Sequence, residues 1–172
     1  MGGDGNDYLI SDGNAVEVLD GGAGEDTLGL ATYTHERLAD LAGIEAVRTN
    51  GYHVQGTAAA NLFDFTGMFV SDTGGLQILG LGDNDTLIGT IENDILDGGS
   101  GNDQLDGGPG NDSLAGDTGD DLLEAGAGAD TLRGEAGADT LLGGDGNDFF
   151  YVNGEVGDVL DGGAGEDTVA LG

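Results

Sequence analysis

The chain has 172 residues, of which 38 are glycine, one is proline and none is cysteine, and its 34 aspartates and glutamates face three basic side chains, for a formal charge of −31. That balance excludes a nucleic-acid or anionic-membrane surface, which needs clustered Arg and Lys; without cysteine there is no disulfide or thiolate site, and no stretch has the apolar length of a membrane span. A cationic partner is the direct implication, and for so many carboxylates that partner is a metal ion.

Glycine-rich acidic chains with few aromatics usually stay disordered, because they bury too little apolar surface to offset chain entropy. Evidence of order must come from the arrangement of residues, and it starts at once. Residues 1–30 carry GGDGND at Gly2–Asp7 and VLDGGAGEDT at Val18–Thr27, with acids in phase at Asp7, Glu17 and Asp26. The start, Met1-Gly2-Gly3-Asp4, has no apolar region of the signal-peptide kind. An extracellular address would therefore be carried elsewhere in a larger protein.

Through residues 31–79 the pattern is lost. Acids thin out, while Tyr33, Tyr52, Phe63, Phe65 and Phe69 gather here with Arg37 and Arg48. Apolar runs at 44–47, 62–65 and 76–79, separated by Gly, Asn and Thr, predict strands. Residues 34–42 predict a short helix, with Leu38 and Leu41 facing inward and Gly43 ending it.

Residues 80–172 form the main array. Asp85, Asp94, Asp103, Asp112, Asp121, Asp130, Asp139 and Asp148 recur every nine residues, each followed two positions later by Leu87, Leu96, Leu105, Leu114, Leu123, Leu132, Leu141 or Phe150. Disorder does not keep phase over so many repeats. Residues 143–171 also match residues 2–30 without gaps, including a ten-residue step, here between Asp148 and Asp158 before Asp167. One extra residue fits in a turn, where it leaves strand register alone.

Each repeat divides into a six-residue turn and a three-residue strand. In Gln104-Leu105-Asp106 polar and apolar residues alternate with the strand period of two, so the leucine points inward. Two repeats make one coil of 18 residues, and coils stack as parallel strands about 4.8 Å apart. The expected fold is all-β, a right-handed parallel β-roll or β-helix (a solenoid). Residues 31–79 are expected to form a wider, calcium-independent stretch of it that packs on the roll and caps it, with a small insertion carrying its own binding site as the alternative.

The best copies, GGSGNDQLD from Gly98, GGPGNDSLA from Gly107 and GGDGNDFFY from Gly143, fit G-G-x-G-x-D-x-U-x, where U is large and apolar. Over Gly2–Gly29 and Gly80–Ala170 the chain resembles the repeats-in-toxin family of hemolysin-type calcium-binding nonapeptide repeats. The resemblance implies a parallel β-roll with several calcium ions between successive turns, disordered in low calcium and folded in calcium-rich surroundings. It also implies a secreted or cell-surface bacterial protein, exported by type I secretion through a signal outside this chain.

Calcium takes six to eight oxygens at roughly 2.3–2.6 Å. Turns 18 residues apart share an edge of the roll, which gives one row of Asp85, Asp103, Asp121, Asp139 and Asp158, and another of Asp94, Asp112, Asp130, Asp148 and Asp167. An ion between two stacked turns would take a carboxylate from each, plus carbonyls bared by the glycines of the loop. Those glycines are Gly99, Gly108, Gly126, Gly144 and Gly163 at the second position, and Gly101, Gly110, Gly119, Gly128, Gly137, Gly146 and Gly165 at the fourth. Asp7 and Asp26 extend the set to the N-terminal repeats, where Glu17 departs from the pattern. Asp83 and Glu92 replace the fourth glycine, Asp117 and Glu135 the second, and Ala125 the first. The sites joining Asp103 with Asp121 and Asp112 with Asp130 therefore rank above the one using Asp85.

Nothing in the pattern points to an enzyme. His35 and His53 lack a metal-hydrolase spacing, Ser11, Ser71, Ser100 and Ser113 lie in turn-like or repeat contexts, and the repeat accounts for the aspartate pairs. The chain begins and ends within repeats and reads as a calcium-responsive structural module of a larger protein, whose other part could be a protease, lipase, epimerase, toxin or adhesin. The alternatives are a calcium-dependent adhesive or carbohydrate-binding module using the aromatic middle segment, or the repeat region of a secreted polysaccharide-acting enzyme. A glycan or surface ligand and end-to-end self-association stay open.

Overall fold

The computed structural model describes residues 3–4, 8–11, 17–20, 22–23, 27–30, 38–42, 46–48, 54–55, 62–65, 69–70, 75–154 and 157–172. The early strands are β1 (Gly3–Asp4), β2 (Tyr8–Ser11), β3 (Glu17–Asp20), β4 (Gly22–Ala23) and β5 (Thr27–Leu30). Next come β6 (Leu38–Ala42), β7 (Ala46–Arg48), β8 (Val54–Gln55), β9 (Leu62–Asp64) and β10 (Phe69–Val70). The array supplies β11 (Gln77–Gly82), β12 (Thr86–Ile88), β13 (Ile95–Ser100), β14 (Gln104–Pro109), β15 (Ser113–Thr118) and β16 (Leu122–Ala127). It ends with β17 (Thr131–Ala136), β18 (Thr140–Asp145), β19 (Phe149–Val152), β20 (Val159–Ala164) and β21 (Thr168–Leu171).

Among the described residues all strand pairings are parallel, and the array alternates between two sheets. One sheet runs β21-β19-β17-β15-β13-β11-β8, and the other runs β20-β18-β16-β14-β12-β9. This is a parallel β-solenoid with two strands per coil. Gln104 pairs with Leu122 and Leu105 with Leu123, the 18-residue step of the repeat. From the Asp148 turn onward the step becomes 19, as in Thr140 with Val159 and Phe150 with Val169. The N-terminal copy shows the same step, with Tyr8 on Thr27 and Leu9 on Leu28. The extra residue thus leaves register intact on both sides of it.

Most strands of the array are longer than the three residues expected. β14 runs on through Gly107, Gly108 and Pro109, and Gly108 pairs with Gly126 beyond a skipped Gly107. Pairing continues into the turn because stacked turns are themselves hydrogen-bonded: the Gly119 amide donates to the Ala136 carbonyl, and the Thr140 amide to the Asp121 carbonyl. Such close stacking needs glycine at the fourth turn position. A Cβ on Gly119 would overlap the carbonyl oxygen of Gly101 in the coil before it.

One expectation for residues 31–79 is revised. Strand β6 occupies Leu38–Ala42, where a helix was expected. The local spacing of Leu38 and Leu41 yields to the open edge of β3, against which β6 pairs with a shift in register between Glu17 and Val18. The rest of that stretch, 34–37, lies outside the described residues. β8 and β9 extend the two sheets of the array, with Val54 on Ile78 and Phe63 on Leu87, a step of 24 residues.

Leu87, Leu96, Leu105, Leu114, Leu123, Leu132, Leu141 and Phe150 fill the space between the sheets and are at most 1% exposed. The same cluster takes in Val54, Phe63, Phe65, Leu76 and Ile78 from the wider coil. One large side chain per repeat is a thin core, and each member is correspondingly costly to lose. Leu123→Ala should destabilise the roll by about 2–5 kcal/mol, measured by denaturant unfolding under conditions in which the chain is folded. Gln104→Ala on the exposed face is the control and should leave the midpoint within experimental scatter.

Candidate metal centres

The turn aspartates are the most deeply buried polar groups of the array. Asp85, Asp94, Asp103, Asp112, Asp121, Asp130, Asp139 and Asp148 are 1–3% exposed. One oxygen of each has a fixed task. Oδ1 of Asp121 accepts the backbone N–H of Asp103 at 2.8 Å, and Oδ1 of Asp130 accepts that of Asp112 at 2.7 Å. The ladder repeats along both edges, from the Asp85 amide on Asp103 to the Asp148 amide on Asp167. Each carboxylate therefore reaches back one coil, and the two rows expected from the spacing are the two edges of the roll. Asp158 is half-buried and Asp167 exposed, because they lie in the last coil. Asp7 and Asp26 lie outside the described residues.

The other oxygen differs. Oδ2 of Asp103, Asp112, Asp121, Asp130 and Asp148 is buried and has no hydrogen-bond donor. A buried carboxylate oxygen without a donor is expensive unless a positive charge faces it. The space in front of it is built from oxygen. A Cβ placed on Gly107 would stand 2.6 Å from Asp112 Oδ2 and 2.7 Å from the carbonyl oxygen of Ala125, one coil further on. Glycine at the first turn position keeps that space open. Ala125 fills the equivalent position of its own turn with a methyl group, which leaves less room beside Asp130.

The glycines divide the work. At the second position Gly99, Gly108, Gly126, Gly144 and Gly163 have φ between 83° and 106°, and at the fourth Gly101, Gly110, Gly119, Gly128, Gly137, Gly146 and Gly165 have φ between 134° and 152°. Leu81, Asp117 and Glu135 hold the second position at φ 81°, 70° and 68°, in a region that L side chains disfavour.

Among the described residues, no three acidic or histidine side chains gather as a ready cluster for a metal. An ion held here must draw mostly on main-chain carbonyls, with one or two carboxylates. Such an all-oxygen set suits a hard cation with a high coordination number, which is calcium rather than magnesium or zinc. The donor-less Oδ2 atoms and the carbonyls facing them fit that ion.

Two elements of these turns escaped the sequence reading. A second ladder runs on the outer side in the opposite sense: Asn84 Oδ1 accepts from the Asn102 amide at 2.9 Å, and Asn111 Oδ1 from the Ala129 amide at 2.7 Å. Its signal was asparagine recurring just before the aspartate. The other element is Thr90, in the second-glycine position of the turn that ends at Asp94. Its amide donates to Asp94 Oδ2 at 2.6 Å, and its hydroxyl lies 3.0–3.1 Å from both carboxylate oxygens.

The RTX calcium-binding nonapeptide repeat (4 copies) matches residues 79–114, 115–150 and 157–172, just over half of the chain. The chain belongs to this family. The matched residues are structural calcium-binding repeats. A search of the curated proteins found no match.

Burial pushes the carboxyl of Asp112 up to about 7, with repulsion from Asp94, Asp130 and Asp106 adding to it against the hydrogen bond from the Asp94 amide. Burial likewise raises Asp121 to about 6, reinforced by Asp103, Asp139 and Asp120. Asp94, Asp103 and Asp130 are raised for the same leading reason. Without metal, the folded roll binds protons more tightly than the unfolded chain. That contribution to stability is fully present below about pH 4 and is lost as pH rises through about 6–7. In chelator, acidification from pH 8 to 5 should therefore increase the β signal in circular dichroism. In calcium titrations the midpoint should move to higher calcium as pH falls from 8 to 6, because protons compete for the same oxygens.

Proposed function

We propose that this RTX repeat module folds when it meets calcium outside the cell, as part of a larger secreted or cell-surface bacterial protein. Its export would run by type I secretion through a signal outside these residues. The observation that carries the reading is the two rows of buried aspartates whose Oδ2 atoms lack a donor. Bound calcium would supply positive charge to these oxygens and tie one turn to the next. Asp103 and Asp121 on one edge, and Asp112 and Asp130 on the other, would face it with carbonyls of the first turn positions, such as that of Ala125.

The chain's own residues explain why folding would await the ion. The inward leucines make a narrow core, and the closely stacked carboxylates repel one another when charged. Ordering the array therefore needs a ligand that binds the folded state alone, which makes binding and folding one equilibrium. Modules that work in extracellular calcium bind it at about 10⁻⁴–10⁻³ M. At that affinity the calcium-dependent coils stay unfolded in a cytosol low in calcium and fold outside.

Among the described residues no helix is long and apolar enough to cross a membrane. Phe63 and Phe65, two of the aromatics considered as an adhesive platform, belong to the core. That leaves the structural role as the better-supported one.

The test is far-ultraviolet circular dichroism during a calcium titration from chelated protein, with magnesium as the control. A cooperative gain of β signal with a midpoint near 0.1–1 mM in order of magnitude, absent with magnesium, is the expected outcome. A full β signal in chelator that calcium leaves unchanged would sink the proposal.

A further inference from the structure

The first turn on one edge of the array, Gly89–Asp94, is unlike those that follow it. The other second-position residues from Leu81 to Gly144 have positive φ, and Thr90 does not. Strand β12 stops at Ile88, so the pairing that carries neighbouring strands into their turns is missing here. The changed backbone turns the Thr90 amide toward the carboxylate. Asp94 Oδ2 accepts that amide at 2.6 Å, and Oδ1 accepts the Leu76 amide at 2.5 Å. The Thr90 hydroxyl bridges both oxygens and in turn accepts the Glu92 amide at 3.1 Å. Thr90 itself is 1% exposed.

Asp94 is thus as buried as its counterparts, but neither of its oxygens lacks a donor. The surroundings are otherwise those of the other turns: a Cβ on Gly89 would lie 2.6 Å from Asp94 Oδ2 and 2.6 Å from the Gly107 carbonyl. What differs is the group that answers the carboxylate.

We infer that the boundary between the Gly89–Asp94 turn and the next coil holds no calcium, because the Thr90 amide and hydroxyl stand in for the ion. This refines the proposed function and rests on the calcium reading of the remaining turns. It changes the assignment of Asp94 from metal ligand to the acceptor of a protein-only lock. On the far side of that lock lies the widest part of the core, with Phe63, Phe65, Leu76 and Ile78. Residues from β8 to β13 then form a unit closed at any calcium concentration, and the calcium-dependent coils stack onto it from Gly98 onward.

Counting bound calcium on the full chain by equilibrium dialysis tests this. Thr90→Gly with Glu92→Gly, which restores both glycines of the motif, should bind one ion more than the unsubstituted protein. Asp94→Asn should bind as many ions as the unsubstituted protein, while Asp112→Asn should bind one fewer. Hydrogen exchange in chelator should find the Thr90 and Leu76 amides at least about tenfold slower than those of Gly108 and Gly126. Loss of an ion in Asp94→Asn would overturn the inference even if the glycine variant folds poorly, and so would Thr90 and Leu76 amides exchanging as fast as those of the glycines. Binding of no calcium by the unsubstituted chain is a different outcome, which would overturn the calcium reading itself.

Discussion

The coil boundaries at Asp103, Asp112, Asp121, Asp130 and Asp148 turn on a carboxylate that is satisfied on one side only. Oδ1 closes the backbone of the preceding coil by accepting an aspartate amide, while Oδ2 of Asp103, Asp112, Asp121, Asp130 and Asp148 faces inward without a donor. The first contact ties the chain to a definite stacking distance. The second makes that same stacking costly for a charged group, as the upward shifts at Asp112 and Asp121 register. A fold built this way is conditional: the hydrogen bond that defines it brings with it an electrostatic debt that a proton or a cation must settle.

The remaining features follow from keeping these boundaries close. Glycine at the first turn position leaves space in front of Oδ2, and glycine at the fourth lets the next backbone approach. The inward leucines need only be large enough to separate two narrow sheets. The two side-chain ladders reach in opposite directions, aspartates backward and asparagines forward, so each turn is held from both neighbours. Where alanine replaces the asparagine, as at Ala129 and Ala138, the outer ladder is interrupted while the inner one persists, and beyond Ala129 it resumes where Asn147 Oδ1 accepts the Glu166 amide.

Much of this was legible because the repeat keeps phase. Nine-residue spacing located the leucines inward and the aspartates in two rows, and the ten-residue step at both ends matched the 19-residue register of β2 on β5 and β19 on β21. What was not legible had no period. A wider stretch was expected before the array, but no motif marks its step of 24 residues from Val54 to Ile78. The spacing of Leu38 and Leu41 suits a helix, and nothing local shows that the edge of β3 will claim β6. Thr90 was hidden for another reason. A repeat pattern treats a substituted position as a weaker copy, whereas a side chain with its own donors can do what the missing glycine's loop conformation did.

The 19-residue coil shows that the roll counts hydrogen bonds and not residues. Between Val152 and Asp158 the chain takes up one residue more than its neighbours, yet Thr140 still meets Val159 and Phe149 still meets Thr168. Length can be added there without moving the coils above or below, which makes it the natural place to splice a foreign peptide onto the roll and display it at a fixed height along the stack.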